Sequence, residues 1–151
     1  MLKLMYITND PQVAQIAADA GVDRIFIDME VLGKVRRQGH LDSVKSHHVP
    51  EDIRRVRERI GSRAEILARV NPRNPGTQAE VDAAVKCGAD LLMLPMWRCA
   101  EDVAYFAGCV GGRDRGAPVR AKGLSGPSEV DNCCLASIVA PGRLSIHKQG
   151  A

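Results

Sequence analysis

The sequence predicts an α/β protein of four consecutive strand–helix units followed by an irregular C-terminal tail. Three observations carry this. Up to Gly112, apolar runs of strand length alternate with stretches of helical periodicity. A Gly-[Val/Ala]-Asp motif recurs 67 residues apart, at Gly21 and Gly88, each time after a helical stretch and before an apolar run. Beyond Gly112 both patterns stop. Repeated βα units imply a parallel sheet with right-handed crossovers. Such a sheet closes in one of two ways, as an open doubly wound sheet or as a (β/α)8 barrel of about 250 residues. No G-x-G-x-x-G follows any strand, so the dinucleotide-binding version has no support.

The elements follow in order. Leu2–Thr8 reads as a short strand, and Asn9-Asp10-Pro11 supplies a helix start with Pro just inside it. Val13, Ile16, Ala17 and Ala20 share one face of that helix, which Gly21 ends as a C′ residue. Val22–Asp28 is the second strand. After a polar loop, Pro50-Glu51-Asp52 opens a helix with Ile53, Val56 and Ile60 at helical spacing. Glu65–Val70 is the third strand. Gly76–Cys87 is a helix with Val81, Ala84 and Val85 on its apolar face, ended by Gly88. Ala89–Leu94 is nearly all apolar, as a strand covered on both faces should be. Cys99–Val110 is the last helix of the series.

Composition bounds the classes. With 45% apolar and 26% charged residues, the chain can bury a core and should not be disordered. No apolar run approaches the ~18 residues that cross a bilayer, and no signal-peptide pattern opens the chain, so a cytoplasmic protein is expected. The five cysteines form no CxxC pair and no metal-finger spacing, and read as free, mostly structural thiols. Residues 1–112 hold 15 Lys+Arg and 15 Asp+Glu, whereas residues 113–151 hold 6 and 3, so the net charge of +3 lies entirely in the tail. Aromatic residues make up 3% of the chain, and no dense basic stripe exists, which argues against nucleic acid as a partner.

Polar residues gather at the C-terminal ends of the expected strands, where βα folds place their sites. Asn9 and Asp10 read as a helix cap. Asp28 and Glu30 end the second strand, and Asp28 serves either as a loop-anchoring acceptor or in a site. His47-His48 is either a solvated pair or a site pair in the long loop over the functional end. Arg69 lies in a strand among apolar neighbours, so its guanidinium needs an anionic partner or ligand. Arg54, Arg55, Arg57 and Arg59 read as a solvated helix face, and Trp97 as a packing residue beneath a loop.

Four segments carry a family resemblance: IAADAGVDRIFIDMEVLGK, the loop RQGHLDSVKSHHVPED, the strand ARVNP, and GADLLMLPMWRCAEDVAYFAGCVGGR. Through them residues 1–112 resemble the N-terminal half of the HpcH/HpaI aldolase/citrate-lyase family, whose members are TIM barrels. The resemblance implies a partial TIM (β/α)8 barrel, with residues 113–151 a tail outside the family. It implies carbon–carbon lyase chemistry, in which Mg²⁺ or Mn²⁺ polarises a pyruvate-type 2-oxo acid toward its enolate. By motif, the family's proton-transfer His falls on His48, with His47 as the alternative, and its oxygen-holding Arg falls on Arg69. Glu30 matches the acidic residue ending the second strand, in a supporting role, with Asp28 beside it. A small 2-oxo acid is the expected partner, and a homo-oligomer is compatible with the family.

The metal ligands are expected as a Glu on the fifth strand and an Asp at the sixth. Neither Glu129 in PSEVD nor Asp131 matches those contexts, so no metal ligand is assigned. The loss of pattern suggests a reading-frame change or early stop in a gene for a full barrel. The expectation is therefore a weakly active or inactive lyase form, the alternative being a non-catalytic βα fragment or a small-carboxylate-binding module.

Overall fold

The computed structural model describes residues 3–32 and 48–111, together with the backbone of 137–140 and 143–146. Its elements are β1 (Met5–Ile7), α1 (Pro11–Asp19), β2 (Arg24–Asp28), α2 (Pro50–Ile60), β3 (Glu65–Arg69), α3 (Thr77–Lys86), β4 (Leu91–Leu94), α4 (Ala100–Gly111), β5 (Ser137–Ala140) and β6 (Arg143–Ile146). The sheet order is β1-β2-β3-β4-β5-β6. The first four strands pair in parallel, with Phe26 beside Leu67 and Leu67 beside Leu91. Four βα units on a parallel four-stranded sheet are the architecture of a partial α/β barrel, as expected.

The pleat separates two apolar layers. Ile25 and Ile27 of β2, Ile66 and Ala68 of β3, and Leu92 and Leu94 of β4 face the helices. There they meet Ala14 of α1, Ile53, Val56 and Ile60 of α2, Val81 and Ala84 of α3, and Phe106 of α4. Each of those Ile and Leu side chains contributes about 1.5–3 kcal/mol by leaving water. Phe26, Leu67 and Leu91, with Met93, form a separate cluster on the opposite face of the sheet.

Helix ends follow the sequence signals. Asp10 caps α1, its Oδ1 accepting the backbone N–H groups of Gln12 (2.7 Å) and Val13 (3.3 Å). Gly21 and Gly88 sit at φ +89° and +101°, a left-handed geometry that glycine adopts without strain. Around each, the C′ and C″ N–H groups return to the helix in a Schellman pattern: Gly21 to Ala18 and Val22 to Ala17, Gly88 to Val85 and Ala89 to Ala84. The repeated Asp has a matching task. Asp23 Oδ2 accepts the N–H of Leu4 (2.8 Å), and Asp90 Oδ2 that of Ile66 (2.7 Å). The internal echo is thus a recurrent clasp at the N-terminal end of the sheet.

Four expectations need correction. Ile16 is 69% exposed, and the buried face of α1 is Ala14, Ala17 and Ala18. Small residues let α1 lie close, and the larger side chain turns outward. Val85 is likewise exposed at the margin of the α3 face. Arg57 is no solvated residue: it donates to the Gly88 carbonyl from Nε (3.2 Å) and Nη2 (3.0 Å) and pairs with Asp90. The tail is not irregular throughout. β5 pairs antiparallel to β4, with Leu92 beside Val139, and β6 completes a hairpin. The parallel alternation therefore stops after α4.

Candidate functional site

The C-terminal ends of β2 and β3 lie side by side, with Asp28 in register with Arg69. Adjacent in-register residues project on the same face of a parallel pair, so the carboxylate and guanidinium meet. Arg69 donates to Asp28 through Nε–Oδ1 (2.9 Å) and Nη2–Oδ2 (2.7 Å), a bidentate fork. Its Nε also lies 3.3 Å from Glu30 Oε2. The guanidinium sits over the Phe26 ring, 5.5 Å from its centroid. Asp28 is 4% exposed and Glu30 1%, whereas the Arg69 side chain retains 27%. The expected anionic partner of Arg69 is thus found inside the protein, in two carboxyl groups rather than one.

His48 completes the cluster. Its Nδ1 accepts the backbone N–H of Asp28 at 3.0 Å. A nitrogen that accepts carries no proton, so the neutral ring is protonated at Nε2, the atom through which it can exchange a proton. Asp28 thereby orients Arg69 with its side chain and His48 with its backbone. Its Oδ1 also accepts the Glu30 N–H (3.1 Å), which bends the chain after β2. Of the residues expected here, Asp28, Glu30, His48 and Arg69 come together. His47 lies outside the described residues.

Neighbouring residues brace this end of the sheet. Asn71 Oδ1 accepts the N–H groups of Val31 and Leu32, both at 2.8 Å, while its own N–H and Nδ2 donate to Glu80 of α3. Asp52, buried on the first turn of α2, accepts from Val49 N (2.9 Å) and Asn9 Nδ2 (3.3 Å) and pairs with Arg55. Burial pushes its carboxyl upward, but the Val49 N–H, the Arg55 guanidinium and the Asn9 amide prevail, and it titrates below the ordinary value of 3.8. Just beyond β4, Met96 holds φ +51°, a left-handed backbone for a residue with a side chain. Trp97 packs against the helix-side core, in line with the packing role expected of it.

Sequence reasoning passed over three of these features. Asp52 read only as part of a helix start. Its signal was an acid in the first turn, which can reach back to the backbone N–H of Val49. Glu80 gave no signal apart from the Asn71 it holds. The strain at Met96 has no signature in the residue type.

The described residues do not form a set suited to a divalent cation. Asp28 and Glu30 are both engaged by a guanidinium, which repels a metal. Among the described residues no group of three or more His, Cys, Asp or Glu side chains could hold an ion. β5 and β6, with sequences SIVA and RLSI, carry no carboxylate.

Fold and site together define an α/β-barrel type of protein whose polar cluster lies at the C-terminal end of its parallel strands. The chain is similar to the crystal structure of an HpcH/HpaI aldolase from Desulfitobacterium hafniense, with a TM-score of 0.52 and 18% sequence identity. The match covers 82% of this chain and 42% of that one, so the chain spans less than half of the aldolase's length. No protein-family model matches the sequence, and no curated protein does. The resemblance is one of fold. Among the described residues, no helix is long and apolar enough to cross a membrane.

Proposed function

We propose that the C-terminal end of the sheet is a half-site for a small 2-oxo acid, inherited from a metal-assisted carbon–carbon lyase. One observation carries this reading: Arg69 is fixed by Asp28 and Glu30 beside a His48 whose ring is oriented through Asp28, on the fold of an HpcH/HpaI aldolase. A guanidinium whose plane is fixed by a bidentate fork offers an oriented positive charge to a carboxylate or enolate oxygen. His48, protonated at Nε2, is suited to deliver or remove a proton at the carbon next to the oxo group.

In the lyases this chain resembles, Mg²⁺ or Mn²⁺ would polarise the oxo group of the bound acid. No described residue is assigned to hold it, and cleavage by this chain is expected to be weak or absent.

The test is a calorimetric titration with pyruvate, with and without Mg²⁺, alongside deuterium exchange of the pyruvate methyl group. The proposal expects binding that strengthens with Mg²⁺, together with slow exchange that disappears in His48→Gln. Binding indifferent to Mg²⁺ and without exchange favours a non-catalytic carboxylate-binding module, the reading suited to strands β5 and β6 that lack carboxylates. Failure to bind under either condition contradicts both.

A further inference from the structure

We propose that β1 is the docking edge for a second copy of this chain, with the two β1 strands paired antiparallel about a two-fold axis through Tyr6. β1 ends the order of described strands. Leu4, Met5, Tyr6 and Ile7 are 52%, 52%, 47% and 54% exposed. The exposure is apolar on both faces: Tyr6 lies beside Ile25 on the helix side, and Ile7 beside Phe26 on the other. Edge strands that must stay unpaired usually carry a charge, a proline or a bulge. Met5–Ile7 has no charge and no proline, and its register with β2 runs without a bulge.

The backbone selects the partner's geometry. The Leu4 carbonyl and the Thr8 N–H are used by β2, accepting from Arg24 (3.1 Å) and donating to Phe26 (3.2 Å). Alternation along the strand therefore turns the N–H and C=O groups of Met5 and Ile7 toward the open edge. An antiparallel copy centred on Tyr6 sets Met5 opposite the partner's Ile7, and Ile7 opposite the partner's Met5, as hydrogen-bonded pairs. Tyr6 faces the partner's Tyr6 in the closer, non-hydrogen-bonded kind of pair. The same register brings Lys3 opposite the partner's Asn9 and next to the partner's Asp10. Lys3 is 57% exposed at its side chain and only 4.0 Å from Glu65, close to the limit of an ion pair. A strand with a base at its start and an acid past its end is complementary to itself only when antiparallel, and two-fold symmetry satisfies both ends at once.

Sedimentation velocity of the full chain across a concentration series tests the proposal, with two variants. The expected result is a reversible dimer that Ile7→Lys converts to monomer while the far-ultraviolet circular dichroism is unchanged. Tyr6→Cys is expected to form an intermolecular disulfide between the two introduced thiols under mild oxidation, identified by mass spectrometry of the linked peptide. Opposed β-carbons in such a pair lie about 4.5–5.5 Å apart. Leu4→Cys, opposite the partner's Thr8 rather than itself, is expected to form none. A monomer at every concentration overturns the proposal, as does a dimer that survives Ile7→Lys. If Ile7→Lys fails to fold, the Tyr6→Cys crosslink decides, and its absence is equally decisive against this register.

Discussion

The two ends of one parallel sheet use the same residue types to opposite effect. At the N-terminal end, Asp23 and Asp90 take strand N–H groups, Arg24 pairs with Glu65 (2.8 Å), and Arg57 pairs with Asp90. The side chains of Glu65 and Asp90 are each 43% exposed, so water screens them and each pair ties one element to the next. At the C-terminal end, Asp28 and Glu30 are nearly excluded from water and share Arg69, and His48 is oriented against them. Charge at the first end joins elements at little desolvation cost. Charge at the second is buried and held in one connected cluster, an arrangement that carries a desolvation cost and marks a place for chemistry.

The contrast breaks first, if it breaks, at the arginines. Arg69→Met leaves two buried carboxyl groups without their guanidinium and is expected to cost about 3–5 kcal/mol in urea unfolding. Arg57→Ala, at the wetter end, is expected to cost about 1–2 kcal/mol through its lost carbonyl bonds. Equal losses would show that the two ends do not differ in kind.

Asp52 sharpens the picture next. Asp52→Asn removes the charge that accepts from Val49, Asn9 and Arg55, at an expected cost of about 1–2 kcal/mol near neutral pH. Its folded pKa lies below the unfolded value of 3.8, so its stabilisation is complete above 3.8 and is lost as pH falls through the lower folded value. Asp102 behaves alike: burial raises its carboxyl, but the Arg98 N–H, Arg73 and Cys99 outweigh it. Thermal melts of wild type and Asp52→Asn should converge as the pH drops below 3.8, and a constant gap would show that the carboxylate charge is not responsible.

The smallest effect separates two copies of one motif. Gly21→Ala and Gly88→Ala each force a side chain into a left-handed backbone, costing about 1–2 kcal/mol. At Gly88 the added Cβ also meets Arg57 Cγ at 3.1 Å, while at Gly21 nothing lies within 4 Å. Gly88→Ala should therefore be the worse by a few tenths of a kcal/mol in chemical denaturation, and the reverse order would argue that Arg57 moves away freely.

Much of this fold is legible in the sequence because its signals are local. Cap and C′ glycine set both ends of α1 and α3 to within two residues, the start of α2 falls at Pro50 as expected, and Ile53, Val56 and Ile60 are all fully buried as their spacing implies. Ile16 misled because an isolated helix does not reveal which of two apolar arcs meets the sheet. The hairpin of β5 and β6 was obscured because antiparallel pairing to β4 is set by a distant strand. At the site, an arginine amid apolar strand residues implied an anionic partner or ligand, and the structure places Asp28 and Glu30 against it. The Nδ1 contact of His48 is a tertiary fact, made by a backbone N–H 20 residues away, and no residue pattern encodes it.

The most direct test of the site is a pyruvate titration in Mg²⁺-containing buffer, followed by fluorescence of Trp97, the single tryptophan, which lies just past the C-terminal end of β4. The account predicts a saturable change in wild type and an affinity about tenfold or more weaker in folded Arg69→Lys, where the planar fork is lost. Saturable binding of equal strength in both proteins, or none in wild type, would contradict the assignment of Arg69 to a 2-oxo-acid site.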